Sequence, residues 1–158
     1  MNILIAGCGQ VGETLVQELS AEGHDLTILD SDPRVLEVGM ARYDVIALQG
    51  NCASMQVLHQ AGAERADLLI ACTGSDELNL LCCVTAHVIN PSLHTIARVR
   101  NPEYAELAYE MHRLYGVSMT FNPEMQAALE IERLLKMPGF LKRESFAKGR
   151  VEIGRAHV

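Results

Sequence analysis

The chain has 158 residues, 49% of them hydrophobic, and a formal net charge of −7 from 13 basic and 20 acidic residues. The apolar content excludes a disordered chain, and no apolar run approaches the ~18 residues that a membrane span requires. An acidic chain without a basic stripe is a poor ligand for nucleic acid or an anionic membrane surface. The chain begins directly with an apolar segment, so we expect no signal peptide. Its five cysteines, an odd number in largely apolar surroundings, indicate a reduced, cytoplasmic protein.

Strand and helix patterns alternate along the first 137 residues, marked by apolar periodicity, glycine stops and proline starts. The second helix is predicted to bury Val35, Leu36 and Met40, and the third to begin at Ser54 as its N-cap. Strands are predicted before Gly7 and at 25–29, 44–49, 67–72, 94–99 and 117–121, and helices at 10–22, from 33, from 54, and at 76–88, 101–115 and 123–137.

This alternation is typical of an α/β fold, namely a Rossmann-like, doubly wound parallel sheet of about six strands. We place this domain at residues 1–137, including a last helix from about residue 123. The apolar face of that helix is wide enough to pack on its own sheet alone, or on its sheet and another subunit.

The alternation ends at Pro138-Gly139. Ala147-Lys148-Gly149 predicts a turn between two short strands, near 142–146 and 150–153. Two strands alone are marginally stable. Residues 138–158 are therefore expected to be the start of a small, incomplete C-terminal lobe, in a fragment of a longer protein.

The first thirty residues combine four features of a dinucleotide site. Gly7, Gly9 and Gly12 have the G-x-G-x-x-G spacing between a strand and a helix, which lets backbone approach a pyrophosphate at a helix N-terminus. Asp30 ends the second strand about 20 residues further on, where a carboxylate accepts from ribose hydroxyls. It favours NAD(H) over NADP(H) because it repels a 2′-phosphate, although Arg34 would soften that preference unless it is a solvated helix-face residue. A glycine turn without a ligand is the alternative, and the agreement of the four features disfavours it.

Ligands of open parallel sheets lie outside the carboxyl ends of the strands. Asn51 and Cys52 are expected there beside an adenine. Arg98 and Arg100 share one face of a strand, where a guanidinium suits a phosphate or a nicotinamide-side group. We favour anion binding for Arg98 over a surface ion pair, and Arg100 is also placed to reach a neighbouring subunit. The turn after the fourth strand adds Thr73 and Gly74.

The sequence contains no recognisable catalytic or metal-binding group. None of the six histidines has H-x-x-H or H-E-x-x-H spacing, so no metal site is predicted. No Tyr-x-x-x-Lys pair, G-x-S-x-G or G-x-x-x-x-G-K-S/T motif is present. Hydride transfer requires groups that orient a substrate, so we expect a non-catalytic cofactor site. The alternative is the cofactor-binding half of an NAD-dependent dehydrogenase whose substrate domain is absent.

The glycine motif and Asp30 are followed by further motifs in a fixed order. These are Gln49-Gly50-Asn51, Cys72-Thr73-Gly74-Ser75-Asp76-Glu77-Leu78-Asn79, Ala97-Arg98-Val99-Arg100-Asn101-Pro102-Glu103-Tyr104 and Asn122-Pro123-Glu124. Over residues 1–146 the series resembles the RCK (also called KTN) domains, most specifically those of the peripheral nucleotide-binding subunit of bacterial Trk potassium-uptake systems.

The resemblance implies a Rossmann domain followed by a crossover helix and a small C-terminal lobe. It also implies binding of NAD(H), and often of ATP or ADP, without turnover. Domains of this family form homodimers that assemble into rings on the cytoplasmic face of a potassium-conducting membrane protein. The resemblance thus implies a cytoplasmic regulatory subunit, peripheral at the inner face of the cell membrane, that gates a potassium transporter or channel without inserting into the membrane.

The same resemblance assigns a ligand contact to each strand-end turn. Arg100 would contact a phosphate across the dimer, and residues 123–137 would form the dimer crossover. In ligand order, the implied contacts are Gly7, Cys8, Gly9, Gln10, Val11 and Gly12 for the pyrophosphate, Asp30 for the adenosine ribose, Asn51 and Cys52 for the adenine, Thr73 and Gly74 for the distal half, and Arg98 for the ligand beside them.

Overall fold

The computed structural model describes residues 1–104, 107, 110 and 115–136, and the backbone of residues 140–146 and 151–156. Its contacts divide the chain into two compact units, Met1–Phe121 and Asn122–Val158. The last predicted helix therefore groups by contacts with the C-terminal segment, whereas the sequence placed it in the first domain. The division at residue 137 stays a prediction.

Strands and helices alternate through the first unit close to the predicted bounds. Of the helix predicted at 101–115, the described residues show a 3₁₀ turn at Pro102–Tyr104, and most of the remainder lies outside the described residues. In chain order the elements are β1 (Asn2–Ala6), α1 (Gln10–Ala21), β2 (Asp25–Asp30), α2 (Pro33–Arg42), β3 (Val45–Gln49), α3 (Met55–Gln60), β4 (Leu68–Ala71), α4 (Asp76–Ile89), β5 (His94–Arg98) and β6 (Met119–Phe121).

The six strands form one parallel sheet in the order β3-β2-β1-β4-β5-β6. The chain moves outward from β1 to β3, returns to the centre at β4 and moves outward on the other side. This is the strand order of a doubly wound Rossmann sheet, so the predicted fold class is confirmed. The register pairs Ala6 with Leu29 and Ala71, and Ala71 with Ala97, which aligns the carboxyl ends along one edge.

The sheet buries an apolar cluster on each of its faces. In β1, Ile3 and Ile5 belong to the cluster that includes Leu36 of α2, whereas Leu4 and Ala6 belong to the cluster that includes residues of α3 and α4. Successive side chains of a strand point to opposite faces, and helices cover both faces of a parallel sheet. The central strands are therefore apolar at nearly every position.

Both helices, α2 and α3, begin where predicted, but only α2 of the two has a side-chain capping hydrogen bond. At α2, Asp32 Oδ1 accepts a hydrogen bond from the Arg34 backbone N–H at 3.0 Å, as an N-cap residue does. Ser54 occupies the N-cap position of α3, but its side chain makes no capping hydrogen bond. Asn51 instead fixes the turn before α3, because its Oδ1 accepts from the Ala53 backbone N–H at 3.0 Å.

The predicted burial of Met40 is wrong, since 51% of this residue is exposed. Leu36 is buried and Val35 is partly buried, as expected. One turn after them, Gly39 rather than Met40 faces the sheet. A Cβ on Gly39 would lie 2.7 Å from Ile28 Cδ1, so a side chain there would have to displace the end of the Ile28 side chain.

The second unit contains a helix and a strand pair. Helix α5 (Pro123–Lys136) begins where Asn122 Oδ1 accepts from the Met125 backbone N–H at 2.9 Å. Strands β7 (Phe140–Phe146) and β8 (Val151–Ala156) form an antiparallel pair. The predicted turn at 147–149 and the break at 138–139 lie outside the described residues. The large apolar residues that α5 exposes are Met125, Leu129, Ile131, Leu134 and Leu135.

None of the helices in the described part of the chain combines the length and the apolar content needed to cross a bilayer.

Adjacent leucines of α4 test the packing of this fold. Leu80 is 4% exposed and Leu81 is 54% exposed. We expect Leu80→Ala to lower the free energy of unfolding by about 2–5 kcal/mol, since it leaves a cavity. Leu81→Ala should change it by less than about 0.5 kcal/mol, as a surface substitution. Denaturant unfolding measures both values, and equal losses would contradict the burial of this helix.

Candidate functional site

The turn after β1 closes against α1 and β4 through backbone contacts. Gly7 has φ +94°, and a Cβ there would lie 2.7 Å from the backbone N of Thr73. A Cβ on Gly12 would lie 2.0 Å from Gly7 O. A side chain at either position would force these segments apart. The predicted roles of the two glycines in tight turning and close packing therefore match the geometry.

Gly9 faces open space, in contrast to Gly7 and Gly12. It is the N-cap residue of α1, and a Cβ built on it meets nothing within 4 Å. The first backbone N–H groups of a helix lack intrahelical acceptors and favour an anion. The turn is thus closed towards the protein and open on the side where a phosphate could approach.

Asp30 joins the end of β2 to the glycine turn. Its Oδ2 accepts from the Cys8 backbone N–H at 2.7 Å, and its Oδ1 accepts from the Asp32 backbone N–H at 2.9 Å. A carboxylate oxygen has two acceptor sites. The partly exposed carboxylate therefore keeps capacity for ribose hydroxyls while it holds the turn in place.

Asn79 joins the turns after β4 and β5. Its Oδ1 accepts from the Thr73 backbone N–H at 2.8 Å and from Thr73 Oγ1 at 2.7 Å, and its Nδ2 donates to Arg98 O at 2.9 Å. The side chain is fully buried, so these bonds replace those that water would supply. Sequence reasoning missed this role, although a lone Asn in the apolar run of α4 was the signal.

Asp76 fixes the segment that follows β5. It is buried and accepts from the backbone N–H groups of Arg100 and Asn101, each at 2.8 Å. The Arg100 guanidinium also pairs with it at 3.3 Å and donates to Gly74 O. Burial alone would raise the pKa of Asp76, but these hydrogen bonds hold it below its usual value. The sequence suggested that Arg100 reaches a neighbouring subunit or a phosphate across a dimer. The structure shows it in an ion pair with Asp76 of its own chain.

Arg98 ends β5, at the same edge as the glycine turn. Burial raises the pKa of the Cys72 thiol, and the positive charge of Arg98 partly opposes that rise. Cys72 follows β4, and its Sγ contacts Gly7 O at 3.1 Å. The predicted candidates Gly7, Thr73 and Arg98 thus meet around the central strand ends.

The thiols of the candidate site face the core. Cys52 is buried beside Cys82, and its pKa is lowered because the Cys82 thiol hydrogen-bonds to it. Burial raises the pKa of Cys8 and of Cys72 to about 12. The predicted contact of Cys52 with adenine could therefore come only from its backbone. The Asn51 side chain is exposed in the turn after β3, where it accepts a hydrogen bond from the Ala53 backbone N–H.

A cavity of about 560 Å³ opens beside the glycine turn, between α1 and α2. Val11 lies partly buried in the core next to it. Gln10 borders the cavity. The cavity has an apolar floor and a polar rim, and its lining is Cys8, Gly9, Gln10, Glu13, Val16, Ile28, Asp32, Arg34, Val35, Val38, Gly39 and Tyr43.

Within the described part of the chain, no group of three or more His, Cys, Asp or Glu residues lies close enough to hold a metal ion.

Residues 3–123 match the TrkA-N domain family. The chain belongs to this family. The domain is 39% identical over 153 residues to the Trk system potassium uptake protein TrkA homolog of Archaeoglobus fulgidus, and 36% identical over 158 residues to TrkA of Haemophilus influenzae. Both alignments include 97% of this chain but 34% of the relative, so the chain spans about a third of the length of the curated relatives it matches.

Solved structures show the same fold. The TrkA-N domain of the Escherichia coli inner membrane protein ybaL is 26% identical, with a TM-score of 0.75 over 85% of this chain and 96% of that one. The AMP-bound Kef CTD of Shewanella denitrificans is 28% identical, with a TM-score of 0.70 over 87% and 82% of the two chains. The GsuK channel bound to NAD, at 24% identity and a TM-score of 0.65 over 77% and 21%, shares the fold. The predicted family is thus confirmed.

Glu77 of the TrkA-N domain provides a test by pH. Its carboxylate accepts from Ser75 Oγ at 2.6 Å and from the Tyr104 hydroxyl at 2.7 Å, which lowers its pKa from 4.5 to about 2. A pKa below that of the unfolded chain contributes stability above about pH 4.5, and this is lost as the pH falls towards 2. At neutral pH we expect the wild-type protein to have a higher melting temperature than Glu77→Gln. The difference between the two melting temperatures should shrink as the pH falls from about 4.5 towards 2.

Thermal unfolding followed by circular dichroism measures the difference. Tyr104→Phe removes one of the two hydrogen-bond donors to Glu77 and should make the melting temperature depend less on pH over this range. A difference between wild type and Glu77→Gln that does not change with pH would contradict the assignment.

Proposed function

We propose that this TrkA-N domain is a non-catalytic nucleotide sensor that binds NAD(H), and also ATP or ADP, and regulates a potassium transporter or channel in the membrane. It works as a homodimer within a ring at the cytoplasmic face of the cell membrane, peripheral to its membrane partner. Nucleotides that bind two conformations of the ring with different affinity would shift it between them.

The observation that carries the proposal is the contrast among the three glycines. Gly7 and Gly12 are closed against protein backbone, whereas Gly9 leaves open space at the N-terminus of α1. A pyrophosphate needs this combination of close packing behind the turn and free backbone in front of it. Asp30 supplies the carboxylate at the ribose position. AMP in the Kef CTD structure gives independent support for an adenine nucleotide.

A sensor without turnover agrees with the state of the polar groups around the turn. Asp30, Asp76 and Asn79 hold backbone groups through hydrogen bonds. The Cys8 and Cys72 thiols are buried and stay protonated at neutral pH because burial raises their pKa. Neither thiol is therefore suited to move a proton to or from a substrate at neutral pH.

The relatives, which are named for potassium uptake, support a membrane potassium transporter as the proposed partner. The apolar side chains that α5 exposes, such as Leu129 and Leu135, suit the crossover contact of a homodimer.

Isothermal titration calorimetry with NADH, NAD⁺, ATP and ADP tests nucleotide binding. We expect Asp30→Ala to weaken NADH binding about ten- to a hundredfold, since it removes charge-assisted hydrogen bonds to ribose. Asp30→Asn keeps an acceptor oxygen, so its affinity for NADH should lie between those of the wild type and Asp30→Ala. Binding no tighter than ~1 mM by any of the four nucleotides would overturn the proposal. Steady consumption of NADH with a small substrate would favour the dehydrogenase alternative instead.

Two alanine substitutions in the turn separate binding from folding. Gly9→Ala places its Cβ in open space, so the melting temperature should fall only slightly, by the difference between Gly and Ala at an N-cap, while nucleotide affinity falls by at least about tenfold. Gly12→Ala places its Cβ 2.0 Å from Gly7 O and should lower both the melting temperature and the affinity. Melting curves and calorimetry on the same samples measure the two effects. Wild-type affinity in Gly9→Ala would place the phosphate elsewhere.

A further inference from the structure

The turn between β2 and α2 holds three charged side chains in a fixed arrangement. Asp30 Oδ1 accepts from the Asp32 backbone N–H at 2.9 Å, and Asp32 Oδ1 accepts from the Arg34 backbone N–H at 3.0 Å. Asp32 and Arg34 line the cavity that also borders Gly9. A ribose that binds Asp30 would have Asp32 as a neighbour, because Asp30 holds the Asp32 backbone, and Arg34 is paired with Asp32.

The Arg34 guanidinium is bound by Asp32 in a two-pronged pair. Arg34 Nε donates to Asp32 Oδ1 at 3.0 Å, and Arg34 Nη2 donates to Asp32 Oδ2 at 2.7 Å. The Arg34 side chain is otherwise 86% exposed. The hydrogen bonds from Arg34 also lower the pKa of Asp32.

This pairing changes what the turn offers to a ligand. A guanidinium fork fits a phosphate as well as it fits a carboxylate. Asp32 occupies the Nε–Nη2 edge of the guanidinium, so Arg34 cannot use that edge for a phosphate, and the turn carries two carboxylates against one guanidinium. A neutral 2′-hydroxyl is compatible with that charge, whereas a 2′-phosphate would be repelled.

We propose that Asp32 is a specificity-determining residue, which keeps Arg34 out of the nucleotide site and so selects adenine nucleotides with a free ribose 2′-hydroxyl. Arg34 is a latent 2′-phosphate ligand that its neighbour neutralises. The inference rests on the proposed nucleotide site and adds a second determinant to Asp30. Arg34 does not soften the preference for NAD(H) in this arrangement.

The test compares 5′-AMP with adenosine 2′,5′-bisphosphate, two probes that differ only by the 2′-phosphate. The measured quantity is the ratio of their dissociation constants, determined by calorimetry on the purified protein. Asp32→Ser removes the carboxylate and keeps an N-cap hydroxyl, so α2 should still form. Asp32→Asn provides a second capping variant.

We expect Asp32→Ser to shift the ratio in favour of the bisphosphate by roughly three- to tenfold, the scale of an exposed ion pair and one added phosphate contact. In Asp32→Ser/Arg34→Ala most of that shift should disappear. The matched control is Glu13→Gln, which removes one negative charge from the same cavity wall but releases Arg42, its partner at 2.7 Å. Its ratio should stay within roughly twofold of wild type.

Binding of 5′-AMP with an unchanged ratio in Asp32→Ser and Asp32→Asn would overturn the inference alone. A shift that persists without Arg34, or that Glu13→Gln reproduces, would also overturn it, because it would reflect net charge only. No binding of 5′-AMP to the wild-type protein would overturn this inference, and the proposed function would fall with it only if NADH, NAD⁺, ATP and ADP also bind no tighter than ~1 mM.

Discussion

The whole site depends on the missing side chain of Gly12. A Cβ there would lie 2.0 Å from Gly7 O, so α1 can start next to β1 only because none exists. The same turn meets the backbone of Thr73, whose N would lie 2.7 Å from a Cβ on Gly7. Because β1 and β4 are neighbours at the centre of the sheet, this approach brings the turns of the two halves together. The place where the strand order reverses thereby becomes a crevice for a ligand.

Polar side chains then fix what the glycines bring together. Asp30 binds the backbone of the glycine turn, Asn79 binds Thr73 and the carbonyl of Arg98, and Asp76 binds the segment after β5. Asn79 and Asp76 are buried, so a broken bond would leave an uncompensated polar group. Hydrogen bonds within the protein thus define the conformation of the turns at this edge. Through Asn79, Thr73 is connected by direct hydrogen bonds to the carbonyl of Arg98 at the end of β5.

The fold and the first half of the site could be predicted because their signals are local. Gly7, Gly12 and Asp30 belong to one strand–helix–strand unit with fixed spacing, and element boundaries followed from glycine, proline and apolar periodicity. The roles of Asn79 and Asp76 could not, because their partners lie at other strand ends, far away in the sequence. Periodicity likewise assigned Met40 to the core, where close packing of Gly39 on β2 displaced it.

Two aspartate–arginine pairs flank the site, and their different burial gives them different consequences. Asp76 is buried and holds two backbone N–H groups besides Arg100, so removing it would expose broken bonds in the scaffold. Asp32 lies at the surface, and its pair with Arg34 carries little of the fold, since exposed ion pairs contribute about 0–1 kcal/mol. The segment around Asp76 is therefore constrained by folding, whereas the charge at Asp32 can change without loss of the scaffold. The nucleotide preference proposed for Asp32 thus rests on a surface ion pair that the fold does not need.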